Sequence, residues 1–235
     1  MTKMVKAKLN GAYEIILPKH RADRAEWYTE DGWEKKRLDH MHKHIGKGDV
    51  VYYVGSEEGE FPALCQMWGA EVILFEPNPK VWSNTKAIWE ANGLDEPVTF
   101  QGFCSEEDKI VDMNGVLQHG FPKCADEEIL SAHGFKELDK EADNYNQIRI
   151  DSIVSHVPTV ISLDVEGSEG HVLRGAIGVL EKHHPKIYLS LHPEFIHNQY
   201  GEWGAELRKW IIDLGYKETL LDYPLHEVHL YYEAI

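Results

Sequence analysis

Two glycines and several carboxylates form the first segment of the chain whose residue types and spacing could bind a ligand. Gly55 and Gly59 frame the sequence Gly-Ser-Glu-Glu-Gly directly after the apolar run Val50–Val54, and Glu76 follows a second apolar run. Gly55 can adopt a positive φ, and Gly59 allows the backbone to approach a ligand closely. A carboxylate at the position of Glu76 can accept hydrogen bonds from both hydroxyls of a ribose. Together these features predict a site for an adenosine-containing cofactor, whereas the loop alone would indicate only a tight turn with a solvated acidic helix start.

The charge of this loop distinguishes between cofactors. A dinucleotide places its pyrophosphate on the N–H groups of a helix N-terminus, but Glu57, Glu58 and Glu60 crowd that end and would repel it. The loop also lacks the third glycine of the GxGxxG motif. S-adenosylmethionine carries a sulfonium and an ammonium group and no phosphate, so carboxylates suit it. We therefore predict S-adenosylmethionine as the cofactor and keep a nicotinamide enzyme as an alternative.

Two further residues could act on an acceptor of a methyl group. Asp164 and Glu166 follow the apolar run that ends at Leu163, and residues two apart leave an extended chain on the same side. Asp164 is the candidate for positioning or deprotonating the acceptor. His192 is the other candidate because histidine titrates near neutral pH, although it could instead be bound by backbone at a proline turn. Glu166 is interpreted as a cap of the helix that begins at Ser168.

Oxygen and nitrogen donors near these strand ends also allow a metal site. Asp164, Glu166, His192 and Glu194 could bind a divalent ion that lowers the pKa of an acceptor hydroxyl. Because these four donors are scattered, we keep a divalent metal as an alternative and assign no metal ligand. The remaining histidines are interpreted as structural residues of helix faces and helix ends.

Alternating strands and helices must position these candidate residues. Five short apolar runs are predicted as buried parallel strands, namely Val50–Val54, Val72–Phe75, Val98–Phe100, Thr159–Leu163 and Lys186–Leu191. The predicted helices begin at Glu60, Val81, Glu169 and Gly204. This order predicts an α/β Rossmann-like fold with a mostly parallel sheet covered on both faces. The alternating segment Glu227–Tyr232 is expected to form an antiparallel edge strand.

The chain shows no internal repeat or linker that would divide it further. We expect an N-terminal helical extension over residues 1–45, followed by the cofactor-binding domain over residues 46–235. Within that domain the acidic segment 108–146 is too long for an ordinary loop, so it is expected to be an insertion or a lid.

Composition and charge exclude several classes of partner. The 235 residues carry 24 basic and 40 acidic side chains, a formal charge of −16, which argues against a nucleic acid partner. No apolar run approaches the roughly 18 residues that span a bilayer, and the first lysines precede no apolar core. We therefore expect no membrane partner, no secretory signal and a cytoplasmic location. Three cysteines without CxxC spacing exclude a disulfide framework or a cysteine zinc site, while the oligomeric state stays open.

The segments resemble, in their order, the FkbM-type methyltransferases, a branch of the class I S-adenosylmethionine-dependent enzymes. The matching stretches are Gly48–Gly55, Gly59–Phe61, Phe75–Pro79, Arg149–Ile153, Ile161–Glu169 with its Asp-Val-Glu-Gly sequence, and Val172–Ala176 with Leu-Arg-Gly-Ala. The resemblance covers roughly Trp33 to Tyr216. It implies the seven-stranded methyltransferase sheet and, usually, methyl transfer to an oxygen of a small molecule or sugar.

The loop, the acidic strand end and the resemblance together predict the cofactor-binding residues Gly55, Ser56, Glu57, Gly59, Phe61, Glu76, Pro77, Asn78, Cys104, Ser105 and Asp164. The chain departs from the family pattern at three places. Tyr53 stands where an acidic residue is usual, Ser162 where a lysine is common, and Ser190 where a carboxylate is often found. Two hypotheses follow, an O-methyltransferase acting on a small molecule or sugar, or a methyltransferase-fold protein that binds a cofactor or a partner without transfer activity.

Overall fold

The computed structural model describes residues 3–24, 34–111, 116–122, 145–224 and 226–235. In this part of the chain the strands are β1 (Met4–Leu9), β2 (Tyr13–Pro18), β3 (Val50–Val54), β4 (Glu71–Phe75), β5 (Val98–Phe100), β6 (Phe103–Cys104), β7 (Gln118–His119), β8 (Gln147–Ile148), β9 (Val160–Leu163), β10 (Lys186–Leu191), β11 (Tyr216–Asp222) and β12 (Val228–Ala234). The helices are α1 (Lys19–Ala22), α2 (Lys35–His44), α3 (Glu60–Met67), α4 (Trp82–Asn92), α5 (Glu169–Arg174), α6 (Ile177–His183), α7 (Pro193–Tyr200) and α8 (Gly204–Asp213). None of these helices is long and apolar enough to cross a membrane.

A mostly parallel sheet forms the centre of the fold, as the sequence predicts. Its strand order is β11-β12-β10-β9-β3-β4-β5-β7. The five predicted strands β3, β4, β5, β9 and β10 are all parallel to one another. The chain proceeds from β3 to β4 on one side, while β9 lies against the other side of β3, and such a switch point is where ligands bind in open α/β sheets.

The sheet has eight strands rather than the seven expected. The additional strand is β7, two residues that pair antiparallel with β5 at one edge. Strand β12 is antiparallel as predicted, but the expectation that it forms the edge is wrong, because β11 pairs with its outer side. Strand β11 has the half-exposed pattern of an edge, whereas the first five residues of β12 are buried.

The expectation of a purely helical extension over residues 1–45 is also wrong. Strands β1 and β2 form an antiparallel hairpin there, and among the described residues of this segment α1 and α2 are the helices. Asn10 and Gly11 both have positive φ at the hairpin turn, a pairing typical of tight hairpins. Leu9, Ile15 and Leu17 point into the core while lysines of β1 face outward, which is the period-two pattern of a half-buried strand.

Alternate side chains of the strands enter two separate hydrophobic clusters, one on each face of the sheet. In β3, Tyr52 and Val54 belong to one cluster, and Val51 and Tyr53 belong to the other. Because both faces are covered, the strands are apolar throughout, as expected for a parallel sheet. Of the expected insertion or lid over 108–146, residues 112–115 and 123–144 lie outside the described residues.

The helix predicted from Glu169 is divided into α5 and α6 at Gly175, the glycine of the Leu-Arg-Gly-Ala stretch. The N–H of Asp151 donates to the carbonyl of Gly175 at 3.0 Å. A Cβ at Gly175 would lie 1.9 Å from the carbonyl oxygen of Ser105, although the φ of −70° is ordinary. Gly175 is therefore required by the close approach of two backbones and not by its conformation.

We expect Gly175→Ala to lower the free energy of unfolding by about 1–3 kcal/mol, because the backbone at Ser105 must move to admit the methyl group. Urea unfolding followed by circular dichroism measures the loss. Gly46→Ala is the matched control, since a Cβ there would have the carbonyl oxygen of Trp68 as its nearest neighbour at an ordinary 3.7 Å. Equal stability of both variants would contradict the assigned role of Gly175.

Candidate functional site

A cavity of about 400 Å³ opens at the carboxyl ends of the central strands. Eight of the predicted cofactor residues line it, namely Gly55, Ser56, Glu57, Phe61, Glu76, Pro77, Cys104 and Asp164. The cavity wall does not include Gly59, Asn78 and Ser105, nor the predicted catalytic residue His192. The wall also contains four charged residues that the sequence did not single out, Arg21, Arg24, Glu34 and Glu227.

The two glycines of the first loop have different roles. Gly55 has φ +80°, and a Cβ there would lie 1.8 Å from the carbonyl oxygen of Asp164, so the loop passes directly over the end of β9. Gly59 has φ +93° and faces Thr85 and Trp89 of α4. The packing of α4 against this position thus explains the glycine, and the approach of its backbone to a ligand stays a prediction.

The carboxylates of this loop already have partners in the N-terminal segment. Arg21 donates to both oxygens of Glu57 at 2.9 and 2.8 Å and also binds Glu60, while His20 lies 2.7 Å from Glu58. The three carboxylates are therefore not free, and the guanidinium of Arg21 weakens their repulsion of a pyrophosphate. The sequence could not show this pairing, since the partners are 36 to 39 residues apart.

Glu76 ties the second strand end to the first loop. Its two oxygens accept hydrogen bonds from the N–H of Glu57 at 2.9 Å and of Asn78 at 2.8 Å. Burial raises the pKa of Glu76 to about 8, although both N–H donors act in the opposite direction. Close by on the cavity wall, Ser56 Oγ and Glu60 Oε2 are buried without a hydrogen-bond partner. These atoms can receive polar groups of a ligand.

Asp164 is the carboxylate best placed for proton transfer. Its N–H donates to the carbonyl of Val54 at 3.0 Å, which fixes the end of β9 against β3. The side chain is 32% exposed and lines the cavity. Burial raises the pKa of Asp164 to about 7, even though the cations of His192 and Arg37 favour its charged form. A carboxylate with this pKa can both accept and release a proton near neutral pH.

His192 is a buried cation rather than a base. Its Nδ1 lies 2.7 Å from Glu169 Oε1, and its Nε2 lies 3.6 Å from Glu227 and 3.8 Å from Asp164. Burial alone would lower the pKa of His192, but the hydrogen bond to Glu169 and the nearby carboxylates of Glu227 and Asp164 raise it to about 11. The ring is therefore held by carboxylates, and the alternative of a histidine bound by backbone at the turn is not what the structure shows.

The sequence model of the methyltransferase FkbM domain matches residues 44–218, about three quarters of the chain. The chain belongs to this family. No curated protein matches the sequence significantly. Fold and family are those of S-adenosylmethionine-dependent methyltransferases in general, as the resemblance implies.

Solved structures share the fold at low sequence identity. The methyltransferase FkbM of Methylobacillus flagellatus KT has a TM-score of 0.52 and 17% identity, over 79% of this chain and 43% of that protein. Trm5b of Pyrococcus abyssi has a TM-score of 0.52 and 15% identity, over 100% of this chain and 57% of that protein. Precorrin-6y C5,15-methyltransferase of Geobacter metallireducens GS-15 has a TM-score of 0.50 and 8% identity, over 87% of this chain and 90% of that protein. This chain thus spans less than half of the FkbM structure and little more than half of Trm5b.

Two departures of this chain from the FkbM pattern have a common structural cause. Arg37 of α2 is fully buried, and its guanidinium donates to Ser162 Oγ at 2.9 Å and to Ser190 Oγ at 2.8 Å. The two small hydroxyls thus stand where a lysine and a carboxylate are usual, and a guanidinium fills the space between them. Arg37 also lies 3.3 Å from Glu34 and 3.7 Å from Asp164. Sequence reasoning missed Arg37 because it lies on a polar helix far from both serines.

The four donors considered for a metal, Asp164, Glu166, His192 and Glu194, do not form a group in the described part of the chain that could share one ion. Glu194 is exposed at the start of α7. Among the described residues, the group whose donor atoms are close enough to share one ion is Glu34, Glu227 and His229. His229 Nε2 lies 3.0 Å from Glu227 and 3.3 Å from Glu34, so these three side chains already contact one another. Burial would raise the pKa of Glu227, but hydrogen bonds from His192 and His229 hold it at about 2.

We expect the stability that His192 contributes to depend on pH in a defined direction. Its folded-state pKa lies above the ordinary value of 6.5, so its contribution is complete below about pH 6.5 and is lost as the pH rises toward 11. Urea unfolding of the wild type and of His192→Asn should differ by about 3–5 kcal/mol near pH 6 and by less at pH 9–10.

His183→Asn serves as the control, because His183 is exposed at the end of α6. It should leave the free energy of unfolding nearly unchanged over the same pH range. A difference for His192→Asn that stays constant or grows with pH would show that His192 is not a buried cation.

Proposed function

We propose that this protein is an S-adenosylmethionine-dependent O-methyltransferase that acts on a hydroxyl of a small molecule or sugar. The observation that carries the proposal is the position of Asp164, which lines the cavity at the switch point and titrates near neutral pH. A hydroxyl must lose its proton when it is methylated, and Asp164 can accept that proton. The fold and the family support methyl transfer in general, and Asp164 supports an oxygen acceptor.

The residues of the first loop and of the second strand end fit the cofactor. Each oxygen of Glu76 accepts one backbone N–H and retains a second acceptor site for a ribose hydroxyl. Ser56 Oγ and Glu60 Oε2 are buried on the wall without partners and would receive polar groups of the bound molecule. When bound, S-adenosylmethionine supplies a methyl group on a sulfonium.

The residues around Asp164 determine what it does during transfer. The acceptor hydroxyl gives its proton to an oxygen of Asp164 as the acceptor oxygen becomes methylated. The cations of Arg37 at 3.7 Å and His192 at 3.8 Å favour the charged carboxylate before the acceptor is deprotonated. Phe195 and Tyr53 add apolar wall next to these charges, which suits a compact organic acceptor.

The alternative of a protein without transfer activity was motivated by Tyr53, Ser162 and Ser190. The guanidinium of Arg37 between the two serines favours the enzyme, because a cation is retained beside Asp164 although the usual lysine is missing. The formal charge of −16 favours a small acceptor over a nucleic acid. The cytoplasmic location remains a prediction.

We expect Glu76→Gln to weaken S-adenosylmethionine binding by about ten- to hundredfold, measured by isothermal titration calorimetry. The amide keeps the shape of the side chain, but its NH2 group replaces one acceptor oxygen. This NH2 group then faces either a backbone N–H, which is also a donor, or a ribose hydroxyl that loses its acceptor. Absence of binding to the wild type at millimolar cofactor would contradict the proposed function itself.

Glu58→Gln is the matched control for this experiment. Glu58 is a buried carboxylate of the same loop, but it binds His20 and Asn84 and does not line the cavity. Its variant should lose thermal stability with little change in cofactor affinity. If Glu76→Gln behaves in the same way, Glu76 has a structural role and the adenosine site lies elsewhere.

We expect Asp164→Asn to reduce turnover by about 10²- to 10⁴-fold, because the amide cannot accept the proton. The assay follows formation of S-adenosylhomocysteine with a panel of hydroxyl acceptors. Glu194→Gln, a change of an exposed carboxylate, should retain full turnover and would lose it only if Glu194 bound an essential metal. Equal turnover of Asp164→Asn and wild type would show that Asp164 is not the base.

A further inference from the structure

We propose that Arg37 is the positioning residue of Asp164. Its guanidinium is hydrogen-bonded to two strands of the sheet and holds this carboxylate in place and in its charged form. The role rests on the proposed function of Asp164 as the proton acceptor. It assigns a functional residue to helix α2, which lies outside the segment that matches the family except for its last residue.

The guanidinium of Arg37 occupies a fixed position. Its two Nη atoms donate separately to Ser162 on β9 and Ser190 on β10, and the side chain is only 1% exposed. Ser162 on β9 precedes Asp164, the residue that follows this strand, by two residues, so the guanidinium bridges two neighbouring strands close to Asp164. A planar fork with two hydroxyl partners cannot rotate without losing one of them.

Asp164 is the carboxylate that this cation reaches on the reactive side of the site. Nη1 of Arg37 lies 3.7 Å from Asp164 Oδ2, too long for a hydrogen bond and short enough for strong attraction in a buried site. Arg37 itself does not line the cavity, whereas Asp164 does. The cation therefore acts on an acceptor through carboxylates of the cavity wall, Asp164 at 3.7 Å and Glu34 at 3.3 Å.

Several other charged groups face Asp164, and they determine what the removal of Arg37 would do. Glu34 lies before α2 and Glu227 before β12, and both carboxylates oppose the charged form of Asp164. His192 after β10 favours it, and the phenol of Tyr53 on β3 lies nearby. Without Arg37, the effect of these two carboxylates on the pKa of Asp164 would be opposed by His192 alone. Removal of the guanidinium should therefore raise the pKa of Asp164.

The test measures the titration of Asp164 directly, by NMR of protein labelled with ¹³C at the aspartate carboxyl carbons. The resonance of Asp164 is assigned by its loss in Asp164→Asn. We expect Arg37→Gln, which removes the charge, to raise the pKa of Asp164 by about 1–3 pH units. Arg37→Lys, which keeps the charge, should raise it less.

Arg208→Gln is the matched control, because Arg208 binds Glu218 at the far edge of the sheet, away from the cavity. It should leave the titration of Asp164 unchanged. A folded Arg37→Gln variant in which the pKa of Asp164 is unchanged or lower would overturn the proposal. If Arg37→Gln does not fold, the double variant Ser162→Ala, Ser190→Ala keeps the cation and removes the two hydroxyls that fix its position. A raised pKa of Asp164 in that variant supports the proposal, and an unchanged one overturns it.

This titration requires neither cofactor nor acceptor, so its outcome is independent of the calorimetric test of the proposed function. Once an acceptor is identified, the acidic limb of the kcat/KM profile should move upward in pH by the same amount in Arg37→Gln. A purely structural role of Arg37 would instead lower the rate equally at every pH.

Discussion

Carboxylates that are withdrawn from water must find a cation or an N–H donor, because an unpaired buried charge costs several kcal/mol. The cavity of this protein is lined by many such groups, and the constraint determines which distant segments meet there. Arg21 joins the N-terminal segment to the first loop, and Arg37 joins α2 to two central strands. His192 joins Glu169 to the group formed by Asp164 and Glu227.

The central strands could be predicted because burial on both faces makes them short apolar runs, and Val50–Val54 and Lys186–Leu191 are found where the sequence places them. The N-terminal hairpin is harder to predict, because its alternation of lysine and apolar residues is brief and Asn10-Gly11 is the main local sign of its turn. The position of β12 depends on its pairing with β11 far from the switch point, which local periodicity does not encode.

The candidate site could likewise be predicted only in part. Glu76 and Asp164 could be predicted because each follows a strand directly, and parallel strands bring their carboxyl ends to one edge. The ionisation of these groups could not, since it depends on partners brought close by the fold. The carboxylates of the first loop looked like a free negative patch, yet Arg21 and His20 bind them. His192 looked like a titrating base, yet its carboxylate neighbours make it a permanent cation near neutral pH.

Four of the 23 residues of the cavity wall lie outside residues 44–218, the segment that matches the family. Arg21, Arg24, Glu34 and Glu227 all belong to the flanks, whereas the first loop and Glu76 belong to the shared segment. The wall thus combines residues of the family segment with four charged side chains from its flanks. Chimaeras that exchange only the flanks between relatives would change these four charges and leave the first loop and Glu76 intact. The buried guanidinium sets a limit to such grafts, because Ser162 and Ser190 must travel together with Arg37.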